Sequence, residues 1–120
     1  MPNSVRMAKI NAQIQRDLSS IISDLNNPEL ENMIISVSRV ETSNDLYVSK
    51  VYLSILGSSQ TKDRVMAIIN NAKNYIRREL AHTTILRTVP DLVFILDTSL
   101  EYSENINKIL DNISGENNEQ

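Results

Sequence analysis

KDRVMAIINNAKNYIRRELA, residues 62–81, decides the fold. Val65, Ile69, Ala72, Ile76 and Leu80 recur at three- and four-residue spacing and lay an apolar stripe along one side of a helix. On a straight helix Asn70, Asn74, Arg77 and Arg78 gather on the opposite side, with Lys73 at its edge. Yet three asparagines, Asn70, Asn71 and Asn74, fall within five residues. Asparagine is a weak helix former and accepts left-handed geometry more readily than most residues. The stretch therefore predicts a break or kink near Asn74 rather than one long helix.

Toward the N-terminus, Met7, Ile10, Ile14, Leu18, Ile21 and Leu25 mark an earlier amphipathic helix, with Ser4 placed to cap it and Asn26-Asn27-Pro28 to stop it. Lys9, Gln13 and Arg16 form a polar stripe away from its apolar side. Two strands follow. Residues 33–42 alternate through Met33, Ile35 and Val37, with Val40 out of phase as at a bulge. Residues 46–56 are rich in β-branched and aromatic side chains. Thr42-Ser43-Asn44-Asp45 between them reads as a hairpin turn. Beyond the kinked pair, the run Asp91 to Asp97 predicts a third strand, apolar on both faces and hence central or covered. A last short helix beginning at Ser99 or Ser103 carries Ile106, Ile109, Leu110 and Ile113. The expectation is one domain over residues 1–113 and a disordered polar tail over 114–120. Helix, strand, strand, helix–kink–helix, strand, helix makes a two-layer α+β sandwich. A broken helix feeding a strand suggests a KH-like domain, which clamps single-stranded nucleic-acid backbone at the break.

Composition removes whole classes of function. The 120 residues include no cysteine, one histidine and two glycines, which excludes thiolate metal sites, histidine clusters and glycine-rich phosphate loops. No catalytic set, metal, cofactor or small-molecule substrate is expected. The longest apolar run, Leu92 to Leu96, is far too short for a membrane span, and the first residues hold no secretory apolar region, so the expected location is the cytoplasm. The formal net charge is −3. Residues 101–120 account for −4, whereas residues 62–87 carry +4 through Lys62, Arg64, Lys73, Arg77, Arg78 and Arg87 against Asp63 and Glu79. Local potential rather than the sum governs phosphate binding.

Val40-Glu41-Thr42-Ser43-Asn44-Asp45-Leu46 with Lys50-Val51-Tyr52-Leu53-Ser54, and Leu86 to Phe94 with Asp97-Thr98-Ser99-Leu100, resemble two ordered signatures of the ribosome-binding factor A family. Tyr75-Ile76-Arg77-Arg78-Glu79-Leu80 fits the helix between them, and the likeness runs from about Arg6 to Leu110. The resemblance implies a type II KH-like fold. It also implies a bacterial assembly factor that binds the immature small (30S) ribosomal subunit near the decoding region of 16S ribosomal RNA. Such factors assist maturation of that RNA, especially in the cold, and leave before translation. The family's Ala-x-Gly kink reads Ala72-Lys73-Asn74 here, with asparagine in the glycine position. Its Asp-Pro-Arg-Leu reads Asn27-Pro28-Glu29-Leu30, with the charge reversed, and an acidic stub stands where some members have a basic tail.

With that resemblance, the expected RNA contacts are Asn70, Lys73, Asn74, Arg77 and Arg78 around the kink. Arg87 is expected either to touch RNA or to bridge to Asp97 or Glu79, and Lys9 and Arg16 offer a second patch with Arg6. The plainer alternative for every one of these charges is a solvated helix face. Asp45 and Asp97 are expected in turn or capping roles. The partner that the resemblance implies is 16S ribosomal RNA within the small subunit, and the free chain is expected to be a monomer. The competing function is a non-catalytic protein-interaction module using the sheet edge or the acidic C-terminal end.

Overall fold

The computed structural model describes residues 2–83 and 88–99. A first helix, α1 (Pro2–Ser23), begins ahead of Ser4, so Ser4 lies inside the helix and not at its N-cap. It ends at Ser23, shortly before the expected stop at Asn26-Asn27-Pro28. Asn27, ahead of Pro28, is extended (φ −133°, ψ 117°), and its side chain accepts the Glu29 N–H at 2.9 Å to start a 3-10 turn over Pro28–Leu30.

Strands β1 (Ile34–Thr42) and β2 (Val48–Leu56) form an antiparallel hairpin. The phase slip at Val40 is a bulge: the register shifts between Val37 and Arg39, so both Val37 and Val40 point into the core. Two residues of α1, Asn11 and Gln15, reach β1's outer rim. Asn11 Oδ1 accepts the Thr42 N–H at 3.0 Å, and Gln15 Nε2 donates to the Val37 carbonyl at 2.9 Å.

The hairpin turn puts Leu46 at φ 65°, the one non-glycine residue at positive φ among those described. Ser43 and Asp45 make this conformation available. The Asp45 carboxylate accepts from the Ser43 hydroxyl and the Tyr47 N–H, and the Leu46 N–H closes on the Ser43 carbonyl at 2.9 Å. A leucine pays a steric penalty there that a β-branched residue would feel more strongly. Leu46→Ile is therefore expected to lower unfolding free energy by about 1–2 kcal/mol despite its equal bulk, read as a lower denaturant midpoint.

Gly57 (φ 151°) ends β2, and Ser58 caps α2 (Ser59–Asn71) by accepting the Thr61 N–H at 3.2 Å. Helix α2 stops at Ala72 (φ −89°, ψ 4°), and α3 (Lys73–Thr83) restarts at once, its Ile76 N–H reaching the Ala72 carbonyl at 2.9 Å. The break is where the asparagines predicted it, but its mechanism differs. Asn74 has no positive φ and sits in the first turn of α3. The bend is made by Ala72 in the bridge region, whose N–H is shared between the Ile68 and Ile69 carbonyls. No left-handed residue is needed, which is how the chain keeps a kink without the glycine.

Strand β3 (Asp91–Leu96) runs parallel to β2 and completes a mixed sheet of order β1-β2-β3. It is an edge strand among the described residues. Leu92 and Phe94 are buried, while Val93 stays exposed on the face away from the helices. The expected two-sided burial does not hold, because alternate residues of the apolar run lie on that open face. The helices cover the other face, over Val51, Leu53, Ile55, Leu92 and Phe94, with Ile14, Leu18, Val65, Ile69, Ile76 and Leu80 against them. Each such side chain contributes about 1.5–3 kcal/mol on leaving water. The result is the α+β fold predicted from the pattern of elements. The expected last helix and tail fall on residues 100–120, outside those described.

Asp97, just past β3, accepts from the Ser38 hydroxyl at 2.6 Å and from the Ser99 N–H at 2.9 Å, with the Ser99 hydroxyl also upon it. These bonds hold its carboxyl down to about 2, the Ser38 bond being the largest cause. A depressed carboxylate stabilises the fold above its unfolded value of about 4, and that contribution vanishes as pH falls toward about 2. Asp97→Asn should melt below the unaltered chain at neutral pH, and the gap should close between about pH 4 and pH 2 when melting temperature is followed against pH.

Candidate nucleic-acid interface

The break at Ala72 exposes Asn70, Asn71, Asn74 and Tyr75, and α3 adds Arg78 and His82, both exposed. Lys73 is half-buried at the edge of this surface, its Nζ 6.0 Å from the centroid of the Phe94 ring. Phe94 therefore packs beneath a cation and is no exposed platform for a base. Lys73 and Arg78 have no carboxylate partner among the described residues, so no ion pair there neutralises their charge.

Arg77 departs from expectation. It is half-buried and points inward along α3: Nε donates to the Pro90 carbonyl at 3.3 Å and Nη2 to the Val89 carbonyl at 3.2 Å. Its neighbour Ile76 is fully buried, which turns residue 77 toward the segment entering β3, where two carbonyls lack strand partners. Arg77 is thus a strut between α3 and β3, not a member of the outward cationic set.

The basic count over residues 62–87 overstates the surface charge for two further reasons. Lys62 is buried. Arg64 forms a bidentate pair with Glu29, Nε to Oε2 at 2.9 Å and Nη2 to Oε1 at 3.0 Å, and that bond lowers the Glu29 pKa below its usual range. Glu29, where the family pattern has a positive charge, thereby pins the 3-10 turn to α2. Arg87 lies outside the described residues.

On α1, Lys9 is exposed, and Arg16 is exposed with Nη2 donating to Gln13 Oε1 at 2.9 Å. Arg6 borders a hollow of about 230 Å³ between α1 and the hairpin turn, lined also by Met7, Asn44, Asp45 and Leu46. These α1 cations sit on a different element from the break and form a separate patch. Asp45 and Asp97 hold the turn and capping roles expected of them.

Tyr75 is an exposed residue of this surface that sequence reasoning did not single out. A signal was present: it falls off the Val65–Leu80 apolar stripe by one position, which turns an aromatic ring toward solvent. No group of three or more acidic or histidine side chains able to hold a metal occurs among the described residues, and no described helix is long and apolar enough to cross a membrane. The surface offers hydrogen-bonding amides, two cations and an aromatic ring, a set suited to binding phosphate and base.

The sequence profile of the ribosome-binding factor A family matches residues 6–110. A protein of that name from Lachnospira eligens is 38% identical over 117 residues, spanning 97% of this chain and 89% of the relative. Another from Clostridium acetobutylicum is 39% identical over 111 residues, 92% of this chain and 91% of the relative. The crystal structure of ribosome-binding factor A from Thermus thermophilus superposes with a TM-score of 0.66 at 26% identity, covering 75% of this chain and 93% of that one. A homology model of the Thermus thermophilus factor, fitted into a cryo-electron-microscopy map of its complex with the 30S subunit, gives 0.61 at 25% identity, covering 73% and 91%.

Proposed function

Because the chain belongs to the ribosome-binding factor A family, we propose that it binds the immature small (30S) ribosomal subunit through 16S ribosomal RNA and assists maturation of that RNA without catalysing a reaction. The observation that carries this is the outward surface of the α2–α3 break, where Asn70, Asn74, Lys73 and Arg78 stand together with two uncompensated charges. The Thermus thermophilus relative fitted into a 30S complex supports the choice of partner.

Lys73 and Arg78 neutralise phosphates, and the asparagine amides hydrogen-bond backbone or base edges. Arg77 keeps α3 seated against β3 so that these groups hold their spacing. Lys9 and Arg16 supply a second, weaker contact along α1. Such a factor acts by favouring one RNA conformation over others, with an effect equal to its differential affinity for the two. It works in the cytoplasm as a monomer when free.

The test is co-sedimentation of the purified chain with immature and mature small subunits across a salt series. Preferential binding to immature subunits, falling steeply between about 50 and 200 mM salt, is expected. Equal binding to both, or affinity flat across that range, overturns the proposal and favours a protein-interaction module working through the sheet edge.

A further inference from the structure

Few aromatic residues lie in this chain, four tyrosines and one phenylalanine, and the fold disposes of most of those described. Phe94 is buried under Lys73. The Tyr52 ring is covered by the Arg39 guanidinium at 4.1 Å, and its hydroxyl donates to Glu41 at 3.4 Å. Tyr47 is 70% exposed, but it stands in the hairpin turn with its N–H on the Asp45 carboxylate, an anionic setting hostile to phosphate.

Tyr75 differs from all of these. It is 47% exposed in the first turn of α3, and its hydroxyl has no hydrogen-bond partner among the described residues. Arg78 and His82 follow at i+3 and i+7, the spacing that places side chains on one helix face, and both are exposed. Three planar groups thus follow one another along α3, with axial steps of about 5 Å. Nothing in the core requires an aromatic ring here: Ile76 and Leu80 do the packing of α3.

We propose that Tyr75 is a stacking platform for an unpaired RNA base, with Arg78 and His82 extending that face along the strand. This rests on the RNA-binding reading above and narrows it, for it names an unpaired stretch as the ligand and excludes a continuous duplex. A ring half in water meets a base face regardless of base identity, and the adjacent guanidinium both stacks and neutralises phosphate. Bases within a duplex are already stacked on each other and cannot reach a side chain lying on a helix surface.

The test uses the full chain and three probes: a single-stranded oligouridine of about ten nucleotides, an RNA duplex, and inorganic polyphosphate, which carries the charge without bases. Tyr75→Ala is expected to weaken oligouridine binding about tenfold while leaving polyphosphate binding unchanged, and Tyr75→Phe is expected to restore it. Because the chain has no tryptophan, Tyr75→Trp gives a lone reporter whose fluorescence oligouridine should quench and polyphosphate should not. Oligouridine affinity unchanged in a folded Tyr75→Ala variant overturns the proposal. So does an equal loss toward oligouridine and polyphosphate, a preference for duplex, or an unquenched tryptophan. If Lys73→Ala/Arg78→Ala loses immature subunits while Tyr75→Ala leaves oligouridine binding intact, the break still binds RNA and only the stacking falls. If the unaltered chain binds no RNA probe and no subunit, both fall together.

Discussion

Ile76→Ala should lower the melting temperature by about 12 °C. Ile76 is fully buried in the first turn after the break, facing a core that includes Ile69 and Leu80. Isoleucine-to-alanine changes at such sites cost about 2–5 kcal/mol, from lost transfer energy plus the cavity left behind. Taking about 3 kcal/mol, and about 4 °C per kcal/mol for a domain of this size, gives that shift. The consequence extends to binding. Ala72 bends the chain in the bridge region without a left-handed residue, and packing helps hold α3 at its angle to α2, with Ile76 as the nearest buried anchor. A loosened α3 no longer presents Lys73, Asn74 and Arg78 as one surface. Calorimetry checks the stability, and a shift below about 4 °C would mean that the site collapses around the smaller side chain or that Ile76 is not enclosed.

Lys73→Ala/Arg78→Ala should weaken binding to immature subunits roughly 25-fold at about 0.1 M salt while leaving the melting temperature within about 2 °C. The size follows from counterion release. Each neutralised phosphate of a single strand contributes about 0.7 to the slope of log affinity against log salt, so two lost contacts remove about 1.4 logarithmic units at that concentration. The same variant should therefore show a shallower salt slope by about 1.4. Arg77→Ala provides the contrast. Loss of its bonds to the Pro90 and Val89 carbonyls should cost about 2 kcal/mol of stability, so any binding defect should follow unfolding and leave the salt slope unchanged. A double variant that is folded and binds with unaltered slope would remove the break from the interface.

What was legible in the sequence was legible through periodicity. The 3.6-residue repeats at Met7–Leu25 and Val65–Leu80 report which side of each helix meets the sheet, and the phase slip at Val40 reports the bulge. The three asparagines report that a long helix cannot continue, because propensity acts locally. Interactions between distant residues were not legible. Nothing near Arg77 announces that its guanidinium will meet carbonyls 12 and 13 residues later, so its position beside an asparagine-rich kink reads as outward charge. The Glu29–Arg64 pair joins residues 35 apart, and only the packed fold shows that it withdraws one cation from the surface. The apolar run of β3 reads as two-sided burial, since strand position within a sheet depends on pairing partners that the run itself does not encode. Leu46 at positive φ is invisible for a related reason: residue preference points to glycine or asparagine there, and the surrounding Ser43–Asp45 bonds override it.

Asn11 and Gln15, one turn apart on α1, occupy an N–H and a carbonyl at the two ends of the stretch from Val37 to Thr42. A β-sheet propagates into a fibril only if each added copy offers a fresh free border for the next. Here one border is plugged by amide side chains and distorted by the bulge, so strand addition from that side has no regular ladder to join. Any pairing through the β3 border between two such molecules would terminate at a pair. The fold thereby carries a barrier to amyloid-type growth that does not depend on net charge.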